Sequence, residues 1–99
     1  MKPIVYDLIV THHPYMLKFA KELELADDNT IVIDYPTKED VSGRHVLGTL
    51  PHHLSCHTTT YSEIVLSIPE YLRGKELDIH QLRRAYRGIN TYVVSKLNN

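Results

Sequence analysis

A chain of 99 residues with a formal net charge of −1 has room for one domain and not for two, because domains usually run to about 100–200 residues. Its 42% hydrophobic and 23% charged residues are those of an ordinary folded, soluble protein, and no segment approaches the roughly 20 apolar residues that span a bilayer. The near-neutral balance argues against a non-specific binder of long nucleic acid, which needs a basic surface to displace counterions, but it leaves room for a small anion in a local pocket.

The opening MKPIVYDLIV has the apolar look of a signal sequence, yet Asp7 interrupts it and no small-residue cleavage site follows. It therefore reads as mature structure, and a cytoplasmic location is expected. Cys56 is the single cysteine; it cannot close an internal disulfide and suits a reducing compartment as a small buried apolar group. Seven histidines are many for this length, and His12, His13, His52, His53 and His57 fall in two clusters. That clustering is the first indication of a site.

IVYDLIV (4–10) is rich in β-branched residues and too short for a stable helix, so it predicts a buried first strand. Pro14 suits the first turn of a helix. In YMLKFAKELEL, Met16, Leu17, Ala20, Leu23 and Phe19 recur at helical spacing, with Lys18, Lys21, Glu22 and Glu24 outward. ADDN breaks that helix, TIVID (30–34) is a second strand, and YPTKEDVSG is a polar loop punctuated by Pro36 and Gly43. RHVLGT (44–49) makes a third strand, after which LPHHLSCHTT repeats the sequence of strand end, proline and short helical stretch, with Leu50 and Leu54 four apart. SEIVLSI (62–68) is a fourth strand, stopped by Pro69. DIHQLRRAYR (78–87) is a third helix with Asp78 as N-cap and Ile79, Leu82 and Tyr86 on one face. The tail INTYVVSKL fits either a last strand or a continuation of that helix, since it is short and Gly88 interrupts it.

Strands alternating with helices predict an α/β fold, a three-layer sandwich around a mainly parallel sheet, because a helical crossover returns the chain to begin another parallel strand. In such sheets ligands collect outside the carboxyl ends of the strands. Three of those ends read VTHHP, LGTLP and LSIPE: each passes from apolar residues to a hydroxyl (Thr11, Thr49, Ser67) and then to a proline (Pro14, Pro51, Pro69). Parallel strands would turn all three toward one crevice. Helices starting near Pro14 and Pro51 would aim unpaired amides at it, the hydroxyls would add donors, and Gly48 would admit a close backbone approach. Phosphate is the anion this arrangement suits; taken one at a time, each feature also serves as an ordinary cap or first-turn proline.

An imidazole titrates near neutrality, so His12 and His13 are acid/base candidates, but neighbours on an extended segment point oppositely, which favours His13 in the pocket. His52 and His53 are possible ligand contacts at the second strand end. His53 and His57, four apart, have metal-ligand spacing on a helix, with a third ligand to be imported from His13 or Cys56; solvated or capping histidines explain them as well. Around Gly74, Arg73 could clamp a phosphate beside Lys75 and Glu76, or Arg73 and Glu76 could simply pair across an exposed turn. Arg83, Arg84 and Arg87 read as the solvated face of the third helix. Tyr15 could stack on a base or pack half-buried. No glycine-rich P-loop, dinucleotide fingerprint or nucleophile elbow occurs.

THHP after the first strand, GTLP with a leucine three residues on, LSIP and RGKEL stand in the order seen in a small stand-alone CRISPR-associated family of type III systems. The chain resembles that Csx-sixteen family from the first strand to the third helix. The resemblance implies a Rossmann-like fold and a homodimeric ring nuclease that binds cyclic tetraadenylate, the second messenger of type III CRISPR defence, and linearises it without metal or other cofactor. Site positions implied by the resemblance are Thr11, His13, Pro14, Gly48, Thr49, Pro51, Arg73, Gly74 and Glu76. The chain departs from the family pattern at His12, where arginine is expected, at His53, where asparagine is expected, and at Tyr15, where a small residue is expected.

Metal-free cleavage needs the ribose 2′-OH held in line with the adjacent phosphate, the phosphorane stabilised and protons moved. His13 and His12, with Arg73, are the expected catalytic groups. Thr11, Pro14, Tyr15, Gly48, Thr49, Pro51, His52, His53, Ser67 and Glu76 are the expected ligand contacts. Two rival expectations stand beside this one: a sponge or sensor that holds the ring without cutting it, and a zinc-dependent hydrolase.

Overall fold

In the computed structural model, which describes residues 5–97, the alternation of segments resolves into five strands and four helices. Strand β1 (Leu8–Val10) leads into α1 (Pro14–Glu22), β2 (Ile31–Ile33), α2 (Lys38–Val41), β3 (His45–Gly48), α3 (His52–Ser55) and β4 (Thr60–Leu66). A single 3-10 turn at Glu70–Leu72 then precedes α4 (Ile79–Ala85) and β5 (Tyr86–Tyr92). Ile4, the start of the expected first strand, and the three residues before it lie outside the described residues.

The sheet has the order β2-β1-β3-β4-β5, with β1 to β4 parallel and β5 antiparallel to β4. Residues alternate between its faces, as the period of a strand requires. Ile9 and Leu47 pack with Tyr6, Ala20 and Leu25 on the α1 side, whereas Leu8, Val10 and Val46 pack with Val41, Leu50 and Tyr61 on the side of α2 and α3. Phe19, Leu77, Ile79 and Leu82 close the gap between α1 and α4. Helices therefore cover both faces of a mostly parallel sheet, which is a Rossmann-like three-layer α/β sandwich. Among the described residues no helix is long and apolar enough to cross a membrane.

Several local outcomes differ from the sequence expectation. Helix α1 stops at Glu22 because Glu24 takes a left-handed conformation (φ 63°) and Leu25 N–H turns back to the Ala20 carbonyl, an αL termination made without glycine. The loop expected after the second strand contains α2, begun by a reciprocal cap in which Thr37 Oγ1 accepts from Asp40 N–H and Asp40 Oδ2 accepts from Thr37 N–H. The third predicted helix ends at Ala85 instead of Arg87, and the ambiguous tail is a strand: Tyr86 already has extended dihedrals, so β5 leaves α4 with no intervening loop. Gly88, at φ 123°, sits where the β4–β5 register slips between Val65 and Leu66, so the residue that blurred the pattern marks a bulge. Cys56, expected to be buried, is half-buried, its thiol directed at the His53 carbonyl.

Candidate functional site

The chain runs outward from β1 to β2 in one direction across the sheet and from β3 to β4 in the other. The order thus reverses between β1 and β3, and a crevice opens outside the carboxyl ends of those two strands. A cavity of about 540 Å³ occupies it, lined at the ends of β1 and β3 by Thr11, His12, His13, Gly48, Thr49 and Pro51. The register explains its depth. Leu47 is the last β3 residue paired with β4, at Ser62, while β4 continues to Leu66 with only β5 beside it. The overhang brings Glu63, Ile64 and Leu66 into the cavity wall.

The first strand end is shaped by its own threonine. Thr11 Oγ1 accepts the His13 amide at 3.0 Å, and the Thr11 amide is tied to the Ile33 carbonyl of β2. His13 is the N-cap of α1 with extended dihedrals, followed by Pro14. Because Pro14 has no N–H and the His13 amide is taken by Thr11, α1 offers fewer free amides than its position suggests. Thr11 and the two exposed histidines remain the polar residues that this strand end contributes to the cavity lining.

At the second strand end, Tyr61 acts as a clamp. Its hydroxyl accepts from Leu50 N–H at 2.9 Å and donates to the Gly48 carbonyl at 3.2 Å, which fixes the turn that presents Thr49. Burial pushes the Tyr61 hydroxyl pKa above its ordinary value, so it stays protonated and able to donate. Gly48 itself has φ 147°, and a Cβ there would lie 2.3 Å from the Val10 carbonyl oxygen. Its lack of a side chain is demanded first by the neighbouring strand, in addition to any approach by a ligand. The amides of His52 and His53 lie in the first turn of α3, where no helical carbonyl can receive them, although neither side chain lines the cavity.

The remaining expected residues are distributed elsewhere. Pro14, Tyr15, Arg73 and Glu76 do not line this cavity, and Ser67 borders a separate one of about 180 Å³ beside Arg84 and Arg87. Lys75 lines a smaller cavity of about 110 Å³ that has His13 and Met16 in common with this one. The crevice also contains Asp34, Tyr35 and Glu63, which the motif reading missed. Asp34 and Tyr35 follow β2 directly, so the rule that strand ends carry the chemistry could have found them; Glu63 required knowing how far β4 overhangs β3.

The four-residue spacing of His53 and His57 does not fall on one helix face, because α3 ends at Ser55 and Cys56 is its C-cap. Among the described residues no group of three or more His, Cys, Asp or Glu side chains is placed to share a metal ion. The zinc arrangement therefore lacks its third ligand.

The family model described as "Putative CRISPR-associated protein (Cas_VVA1548)" matches residues 8–95. No curated protein and no solved structure matches the chain.

Proposed function

The chain belongs to this CRISPR-associated family, and from that premise we propose that it is a metal-independent ring nuclease that binds cyclic tetraadenylate and opens it. The observation that carries this reading is the convergence of Thr11, His13, Thr49 and Glu63 on one crevice at the β1–β3 switch point. The resemblance to the Csx-sixteen family supports the choice of ligand.

The chemistry follows from the groups available. Threonine hydroxyls and first-turn amides hold the scissile phosphate, with Lys75 supplying positive charge from the His13 side. The Glu63 carboxylate takes the proton of the ribose 2′-OH as the 2′ oxygen bonds to phosphorus. The bond from phosphorus to the 5′ oxygen breaks, and His13 donates a proton to that leaving oxygen. The products carry a 2′,3′-cyclic phosphate and a 5′-OH. A ring of four identical nucleotides presents the same face twice, which suits a two-fold homodimer.

One observation favours a second reading, a binder that does not cut. Among the described residues no arginine lines the crevice, and two carboxylates do, so stabilisation of the phosphorane charge is modest. Incubation of the purified chain with cyclic tetraadenylate in EDTA, followed by mass analysis, separates the two. Linear product ending in 2′,3′-cyclic phosphate, falling about 100-fold or more in His13→Ala as for loss of a general acid, is the expected result. An intact ring that stays bound through long incubation with excess protein favours the binder, and no binding at all overturns both.

A further inference from the structure

An anion crevice walled by two carboxylates needs a reason for each. Glu63 stands at the β3–β4 side, near the groups that would hold phosphate. Asp34 stands at the opposite rim, beyond the end of β2, next to Tyr35. Tyr35 is 78% exposed and belongs to no packed cluster, so its ring contributes little to the core. Yet it is not unplaced: its centroid lies 4.8 Å from that of His12, with the planes tilted by 58°. Two aromatic rings from the ends of adjacent parallel strands thus stand together at the mouth of the cavity, beside a carboxylate.

We propose that Tyr35, backed by His12, and Asp34 form a nucleobase subsite selective for a base with an exocyclic amine, adenine in the ligand considered above. This rests on the nucleotide reading of the crevice. The open face of Tyr35 offers a stacking platform, and stacking tolerates any planar base. Asp34 supplies the discrimination. On the N7 edge of the base, a carboxylate accepts a hydrogen bond from the 6-amino group of adenine, whereas hypoxanthine presents there only the acceptors O6 and N7 and is repelled. The same charge repels phosphate, so Asp34 also orients the ligand: base toward β2, phosphate toward Thr11, Thr49 and Lys75. The tyrosine first singled out for stacking, Tyr15, does not line the crevice, and Tyr35 takes that role.

The test is isothermal titration of the full chain with three probes: cyclic tetraadenylate, its hypoxanthine counterpart, and linear tetraadenylate. Tyr35→Ala should weaken binding of the cyclic tetraadenylate by about 5- to 150-fold, the factor that corresponds to one stacked base. Tyr35→Phe should bind within about twofold of wild type, since the ring is retained. Wild type should prefer adenine to hypoxanthine by about 10-fold or more, and Asp34→Asn should erase that preference. Because Tyr35 is exposed, its variants should melt with the wild type, which separates a binding loss from unfolding. Equal ring binding by wild type and Tyr35→Ala overturns the subsite while the ring reading stands. Tyr35-dependent binding of the linear probe by a chain that ignores the ring overturns the ring reading and keeps the subsite. Binding of neither probe overturns both.

Discussion

Gly48 and Tyr61 show how much of this crevice is decided by single residues. A Cβ at position 48 would meet the Val10 carbonyl oxygen at 2.3 Å, and the φ of 147° is itself strained for any other residue. Gly48→Ala should therefore cost at least about 3 kcal/mol, from strain plus disturbed β1–β3 pairing, and the urea midpoint measures it. Tyr61→Phe removes the acceptor of a buried amide and should destabilise by about 1–3 kcal/mol, a fall of roughly 5–20 °C in Tm. A Tyr61→Phe chain that melts with wild type would show that the clamp on Thr49 is dispensable. Thr11, His13, Gly48 and Thr49 were legible as site candidates because they repeat at strand ends. Glu63 was not, since its place depends on a strand register set by long-range pairing. His12 stands where the Csx-sixteen resemblance expects arginine, and its contact with Tyr35 gives the imidazole a place at the same rim.

Among elements, the helix begun by Thr37 and Asp40 was the clearest omission. TKED has the reciprocal-cap pattern, but Pro36 and Gly43 on either side made the whole segment look like a turn. Hydrogen bonding to the Thr37 amide and hydroxyl holds the Asp40 carboxyl below its usual range. A depressed folded pKa stabilises above the unfolded value and is lost as pH falls through the folded one. The stability gap between wild type and Asp40→Asn should therefore be full at pH 6 and shrink below about pH 4. A gap that is constant with pH would contradict that coupling. Glu24 marks the opposite case, a left-handed residue that is not glycine. Glu24→Gly should raise stability by up to about 1 kcal/mol in thermal melts, because glycine adopts that conformation without the Cβ penalty. The strand identity of β5 was not legible because a glycine bulge breaks its alternation. Between α1 and α4, the Arg83 guanidinium holds both Glu22 carboxylate oxygens, an ion pair that lowers the Glu22 pKa and raises that of Arg83.

At the scale of the molecule, alternating strand and helix signals were enough to predict a layered α/β sandwich and to expect a crevice at the carboxyl ends of its strands. They could not give the sheet order, and the order is what makes a crevice: only the reversal between β1 and β3 separates the helices that flank it. The near-neutral net charge is then no obstacle to an anionic ligand, because Lys75 lines the adjoining cavity while most acidic residues, such as Asp27 and Asp28, lie away from the crevice, Asp34 and Glu63 being the two in its wall. The central claim is that this crevice is where the cyclic nucleotide sits. Backbone amide NMR of the isotopically labelled chain, titrated with cyclic tetraadenylate in EDTA, tests it directly. The predicted result is a set of shifted resonances centred on Thr11–His13, Asp34–Tyr35 and Gly48–Thr49. Shifts confined to the region of Ser67, Arg84 and Arg87, or none at saturating ligand, would contradict it.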